Sequence, residues 1–230
     1  TGGLLYGFSG PAPAYGIVVA AMVLSILFVS AITHRTPPAN ATSEIPLVES
    51  LRGGISFVWN EPVLLSAMTL DLFAVLFGGA VALLPAFAKA LGAGPEGLGL
   101  LRAAPAIGSI ATGLWIAHRP PIRNAGPAML TAVAAFGACM ISFALSRSFW
   151  LSFAILLASG VVDNVSVVIR STLLQTRTPE HMLGRVAAIN QIFIGSSNEI
   201  GAFESGVAAR LLGLVPSVVF GGTLTLRVVA

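Results

Sequence analysis

Apolar residues along this chain come in long blocks separated by short polar joints. A membrane-crossing helix needs about 20 mostly apolar residues. By that measure the pattern predicts full spans at 12–32, 62–87, 98–117, 127–145, 149–174 and 186–212. Residues 1–8 read as the tail of a preceding helix, and 215–230 begin one more. The longest joint, 34–60, is polar and Pro-rich, and it ends in "SLRGGISFVWNEP", whose spacing predicts a short amphipathic helix at the membrane surface. The other joints are brief: "KALGAGPEG", "HRPPIRNAG", "SRS" and "TRTPEHMLGR". In the last of these, Thr178 and Pro179 read as the cap and first residue of the next helix.

Polar residues are unevenly shared among the blocks. The spans at 12–32 and 127–145 carry no charge, whereas 62–87 carries Asp71, 149–174 carries Asp163, Asn164 and Arg170, and 186–212 carries Asn190, Gln191, Asn198, Glu199 and Glu204. Polar and plain spans thus alternate in a rough three-helix rhythm, with Asp71 and Asp163 each in the first helix of a triplet. Repeats of this kind build many transporters. Asp71 lies ~15 Å from one end of its span at 1.5 Å per residue, near the middle of the hydrocarbon layer. Asp163 is ~21 Å from the other end of its own.

An Asp at a helix centre costs about 2.5–3.5 kcal/mol on insertion scales, so such acids are expected to face a cavity or a partner. They are candidates to bind and release a proton, and the competing reading is a structural acid held by a nearby Arg. Arg170 stands two turns after Asp163 on the same face, ~10.5 Å away, suited to a water or substrate bridge or to headgroups. Down one side of 186–212 run Gln191, Gly195, Asn198, Ala202, Ser205 and Ala209, either a cavity lining or a close-packing stripe. Glu199 lies deep in that span. Glu180, beside a helix start, and Arg185 are candidates for a gate at the membrane surface.

Composition agrees with the pattern. Of 230 residues, 56% are hydrophobic and 9% charged, with a mean hydropathy of +0.91. A soluble domain carries about 25% charged residues, and this chain has too few to cover a wet surface. The net charge of +3 comes from Lys and Arg scattered between apolar blocks, with no patch for nucleic acid. Arg35, Arg52, Arg119, Arg123, Arg177 and Arg185 fall on one side and Lys89, Arg102, Arg147 and Arg210 on the other, so the first group is expected in the cytoplasm. Cys139 is alone, and His34, His118 and His181 lie far apart, so no metal or cofactor site is expected. "GAGPEG" fits a dinucleotide-binding pattern but follows a span rather than a strand. Ser196 and Ser197 have no base in reach, which disfavours an intramembrane hydrolase. The chain opens without methionine and stops inside an apolar run, and an internal piece of a longer protein is expected.

Two long segments carry a family resemblance: "SLRGGISFVWNEPVLLSAMTLDLFAVLFGGAVALLPAFA" and "DNVSVVIRSTLLQTRTPEHMLGRVAAINQIFIGSSNEIGAFESG". The chain resembles the C-terminal half of a major facilitator superfamily transporter, in the bacterial branch of enterobactin exporters and macrolide-efflux-like proteins. The resemblance implies an all-α membrane protein, with 1–33 as the end of the fifth and the whole sixth of twelve helices. It makes 34–61 the central cytoplasmic linker and 62–230 the C-terminal six-helix bundle, its twelfth helix cut short. It puts Asp71 and Asp163 on cavity-lining helices. The loop signature between the eighth and ninth helices is degraded, since only Gly113 matches in "GLWIAHRPPIR" and Ala117 replaces the acid.

The expected function is proton-coupled efflux of small molecules, such as siderophores or drugs, across the bacterial inner membrane by a multi-pass protein. The expected pathway residues are Asp71, Asp163, Asn164, Arg170, Gln191, Asn198 and Glu199, with Asp71 the favoured proton carrier and Glu180 and Arg185 at the cytoplasmic gate. The partners implied are a small-molecule substrate, the lipid bilayer and an N-terminal six-helix bundle. An importer or facilitative permease on the same fold is the alternative, and a purely structural membrane protein is a weaker one.

Overall fold

The computed structural model describes residues 11–32, 47–78, 80–119 and 124–229. Among them every regular element is helical. In chain order these are α1 (Pro11–Ser30), α2 (Leu47–Asn60), α3 (Pro62–Phe77), a 3-10 turn (Ala80–Leu83), α4 (Leu84–Ala90), α5 (Pro95–Ala117), α6 (Ala125–Leu145) and α7 (Phe149–Arg177). A second 3-10 turn (Glu180–Met182), α8 (Leu183–Leu212) and α9 (Leu214–Val229) complete the order. The tail expected at 1–8 and most of the joint at 34–46 lie outside the described residues.

Local sequence explains the boundaries. Pro62 and Pro95 open α3 and α5, where a missing N–H costs nothing. Gly92 and Gly213 take positive φ, 67° and 96°, at the turns into α5 and α9. The span expected as one helix over 62–87 is instead broken. α3 ends at Phe77, and the chain resumes through the 3-10 turn into α4. Glycine is a poor helix former, and Pro85 sits in the first turn of α4, the position where it is tolerated. Thr178 does not start the next helix. Its N–H closes α7 by donating to Leu174 O at 3.2 Å, and its extended backbone is what a residue before proline adopts. α8 begins only at Leu183.

Four stretches are long and apolar enough to cross a membrane: Pro62–Ala90 (α3 with α4), α5, α6 and α7. α1 and α9 are apolar but shorter by that measure. α8 has the length of a span, yet the polar residues on it take it out of that set, so its expected crossing rests on the bundle around it.

The helices form one bundle. α5 lies along α7, α6 touches both α7 and α9, α3 meets α8, and α2 lies across the ends of α3 and α8. The core has two main parts. Val58, Leu64, Met68, Leu174, Val186 and Ile189 fill the end beside α2. Leu84, Phe87, Leu101, Met140, Phe143 and Leu156 fill the opposite end, where the Phe87 and Phe143 rings stand 4.7 Å apart. Trp59 and Trp115 are exposed at the α2 end and Trp150 at the other. Exposed tryptophans at both ends of a bundle are the signature of two membrane interfaces. Arg119 caps the Trp115 ring at 4.9 Å. α1 makes at most marginal contact with the rest, and its described side chains are exposed.

Candidate functional site

The site is built where α3 passes α7. Asp71, midway along α3, and Arg170, in the second half of α7, are each only 5% exposed, and the Arg170 guanidinium pairs with the Asp71 carboxylate. This corrects the expectation that Arg170 leans toward Asp163 or the headgroups. The physical reason is distance. Asp163 lies ~10.5 Å along the same helix, whereas α3 brings an acid directly against Arg170. A buried charge left without its partner is far costlier than the pair.

Asp163, one face of α7 further along, is half-buried and has no ion-pair partner among the described residues. It borders two spaces. The first is a cavity of about 210 Å³ whose walls include Gly78, Phe136, Gly160, Asn198 and Ala202. The second is a gap of about 10 Å³ between Asp71, Asp163, Phe136 and Ser166, the space one water-sized sphere needs. Ser166 is 3% exposed and its hydroxyl finds no hydrogen-bond partner. The two acids therefore share one polar seam through the α3–α7 contact.

Two glycines on the wall of the larger cavity mark close contacts. At Gly78 a Cβ would stand 2.4 Å from the Phe136 ring. At Gly160 it would stand 2.0 Å from the Pro105 carbonyl oxygen, so α5 and α7 meet backbone to backbone. Pro105 lies inside α5 and leaves that helix continuous.

The remaining candidates divide. Asn198 is exposed on α8 and reaches the cavity wall. Gln191 and Glu199 are exposed on α8 and line neither space. Asn164 turns to α5, its Nδ2 3.5 Å from where a Gly113 Cβ would be. At the α2 end, Glu180 is exposed and Arg185 is half-buried against α2, one guanidinium nitrogen 3.8 Å from the Cβ position of Gly53. The two form no ion pair. The pair at this end is Arg177 with Glu61 at 3.3 Å, which ties the last turn of α7 to the residue before α3. Sequence reasoning missed that pair and Ser166. Both acid and base flank their helices in plain view, but their partnership spans 116 positions and has no local signal.

The packed face of α8 also differs from the stripe expected. Val186, Ile189, Ser197, Gly201 and Ser205 are the buried positions. Gly201 sits where a Cβ would be 3.0 Å from Leu76 O. Gln191 and Gly195, on the expected stripe, are exposed.

The model of the Major Facilitator Superfamily matches residues 1–202. The "Enterobactin exporter EntS" of Shigella flexneri is 29% identical over 222 residues, covering 94% of this chain and 51% of the relative. Proteins of the same name from Shigella dysenteriae serotype 1 and Escherichia coli O139:H28 are 28% identical over the same length and the same shares. The chain thus spans about half the length of the curated relatives it matches. No solved structure matches it significantly.

Proposed function

The chain belongs to the major facilitator superfamily, and from that premise we propose that it is the C-terminal half of a proton-coupled exporter of small molecules in a bacterial inner membrane. Half-length coverage of relatives named as exporters supports the division into two bundles. In this reading 34–61 is the cytoplasmic linker, 62–230 the second bundle, and transport proceeds by rocking of two bundles about a midplane site. The protein is a transporter rather than an enzyme, working on siderophore-like or drug-like molecules.

The observation that carries the reading is the unequal state of the two intramembrane acids. Asp71 is tied to Arg170, whereas Asp163 faces open space with no cation paired to it among the described residues. Asp163 is therefore the better proton carrier, in place of Asp71, with the Asp71–Arg170 pair as the fixed wall against which it works. Ser166 lies between them. Asn198 contributes to the substrate wall, while Gln191 and Glu199 are left for contact with the other bundle. Arg177–Glu61 and the Arg185 seat on α2 fasten the cytoplasmic end, with Glu180 available to the gate.

The test uses the full-length protein in proteoliposomes with an imposed pH gradient and a panel of siderophores and macrolides. Efflux should follow the gradient and collapse with a protonophore, and Asp163→Asn should lower gradient-driven flux by at least about tenfold, as expected for a lost proton-binding group. Flux indifferent to the gradient would make the protein a facilitative permease, and uptake against it an importer.

A further inference from the structure

We propose that Ser166 is a positioning residue for the proton at Asp163. Its hydroxyl seats one ordered water between Asp163 and the Asp71–Arg170 pair, so that the charge on Asp163 is felt across the α3–α7 contact. The inference rests on the proton-coupled reading and deepens it.

Spacing puts the groups in a row. Asp163, Ser166 and Arg170 follow one another at intervals of three and four residues, so they share one face of α7. Asp71 meets that face from α3 through its pairing with Arg170. Both acids and Ser166 line the same gap of about 10 Å³.

The Ser166 hydroxyl also differs from others in the bundle. A Ser or Thr within a helix commonly donates its O–H to a carbonyl one turn back. Thr112, Ser159, Ser197, Ser217 and Thr225, all buried, do so at 2.7–3.1 Å. Ser166 is 3% exposed and makes no such bond. A buried polar group without a partner is costly. The rest of the gap's wall is apolar, made by Ala74, Val75, Ala132, Val133 and Phe136.

Size and chemistry select the occupant. The gap matches one water and is far too small for a transported molecule. A buried water needs two to four polar partners, and Asp71, Asp163 and Ser166 supply three. Arg170 engages Oδ2 of Asp71, and a carboxylate retains further acceptor positions. With Asp163 ionised, the water donates one hydrogen to each acid and accepts the Ser166 O–H. With Asp163 protonated, the acid donates to the water, which keeps its bond to Asp71 and turns its other hydrogen to Ser166 Oγ. A hydroxyl both donates and accepts, so it serves both states. Among the described residues no further charge lines this gap, and α8 brings only the Asn198 amide to the neighbouring cavity.

The test uses the full-length protein in lipid nanodiscs and infrared difference spectra between two pH values. Asp163→Asn identifies the carboxyl band of Asp163, and water enriched in heavy oxygen identifies any water O–H band that changes with it. Such a water band should be present in the native protein and absent in Ser166→Ala, with the Asp163 band displaced. Ser166→Cys, close to serine in shape but a weak donor, should lose the water band too and guards against misfolding of the alanine variant. In proteoliposomes both variants should show gradient-driven flux lowered by about tenfold or more, the loss expected for a hydrogen bond to a charged group. Three results would overturn the proposal: no Asp163-linked water band in the native protein, a water band that survives both substitutions, or undiminished flux in variants that have lost it. The first would point to a hydroxyl bonded directly to Asp163 if the carboxyl band still moves in Ser166→Ala. Native flux separates this outcome from the exporter reading. A Ser166-dependent water without gradient-driven flux would sink that reading and leave the water site. Gradient-driven flux without such a water would do the reverse.

Discussion

At the residue scale, the two ion pairs differ in what they are worth. Asp71 and Arg170 are buried, so removing either one strands the other. Asp71→Leu or Arg170→Met alone should destabilise the protein by about 3–5 kcal/mol, whereas the double substitution should cost much less than either single change. Chemical denaturation in detergent measures all four forms. Costs that simply add in the double variant would mean that the two side chains do not depend on one another. The Arg177–Glu61 pair is a different case, because the arginine is half-exposed at the bundle's end. A double-mutant cycle there should return about 0–1 kcal/mol of coupling in stability. If that pair matters, it shows in transport rate. The acids themselves were legible in the sequence, since a lone carboxylate in an apolar run announces itself. The partner of Asp71 was not, because Asp163 and Arg170 advertise a same-helix relation while the real contact is made between helices far apart in the chain.

At the element scale, close helix contact depends on which glycine faces a backbone. Gly160 and Gly108 interlock α7 with α5, with Cβ positions 2.0 Å from Pro105 O and 2.1 Å from Leu157 O. Gly160→Ala should therefore force the two helices apart and cost about 1–3 kcal/mol or more, in the manner of overpacking. Gly113→Ala, also on α5, meets only the Asn164 amide at 3.5 Å and should be near neutral. Thermal unfolding in detergent compares them, and equal losses at both sites would contradict the arrangement of α5 and α7. The spans were readable from apolar block length alone, to within a few residues for α5, α6 and α7. The break after α3 was not, because an apolar run containing glycine and proline reads as continuous until neighbouring side chains such as Phe136 claim the space. The stripe on α8 was legible only in part, with Asn198 and Ala202 on the cavity and Ser205 buried, for a related reason. Several small-residue rows run along that helix, and only contact with Val75 and Leu76 selects the row through Ser197, Gly201 and Ser205.

At the scale of the whole molecule, the bundle has two distinguishable ends, and their placement across a bilayer is the claim on which pathway and gate depend. One end carries α2, Arg52, Arg177 and the Arg177–Glu61 pair, and the other carries the turn at Gly92 and Arg147 before α7. Positive charge in the joints favours the first end for the cytoplasm. The α2 helix reinforces it. Val48, Ile55 and Trp59 are exposed along one side with Arg52 among them, while Gly54 on the other side is held against Arg185 and Ile189 of α8. A helix with this division lies in the plane of an interface, its apolar side toward lipid. Cys139, the one cysteine of this chain, is removed first by Cys139→Ser, along with any cysteine of the full-length protein outside it. In that background of the full-length protein, Arg52→Cys and Arg177→Cys should react with a membrane-impermeant maleimide only in inside-out vesicles. Arg147→Cys should react only in right-side-out vesicles or intact spheroplasts. Labelling of Arg52→Cys and Arg147→Cys from the same side would mean an odd helix too few or too many between them. It would also remove the midplane position of Asp163 on which its proton role stands.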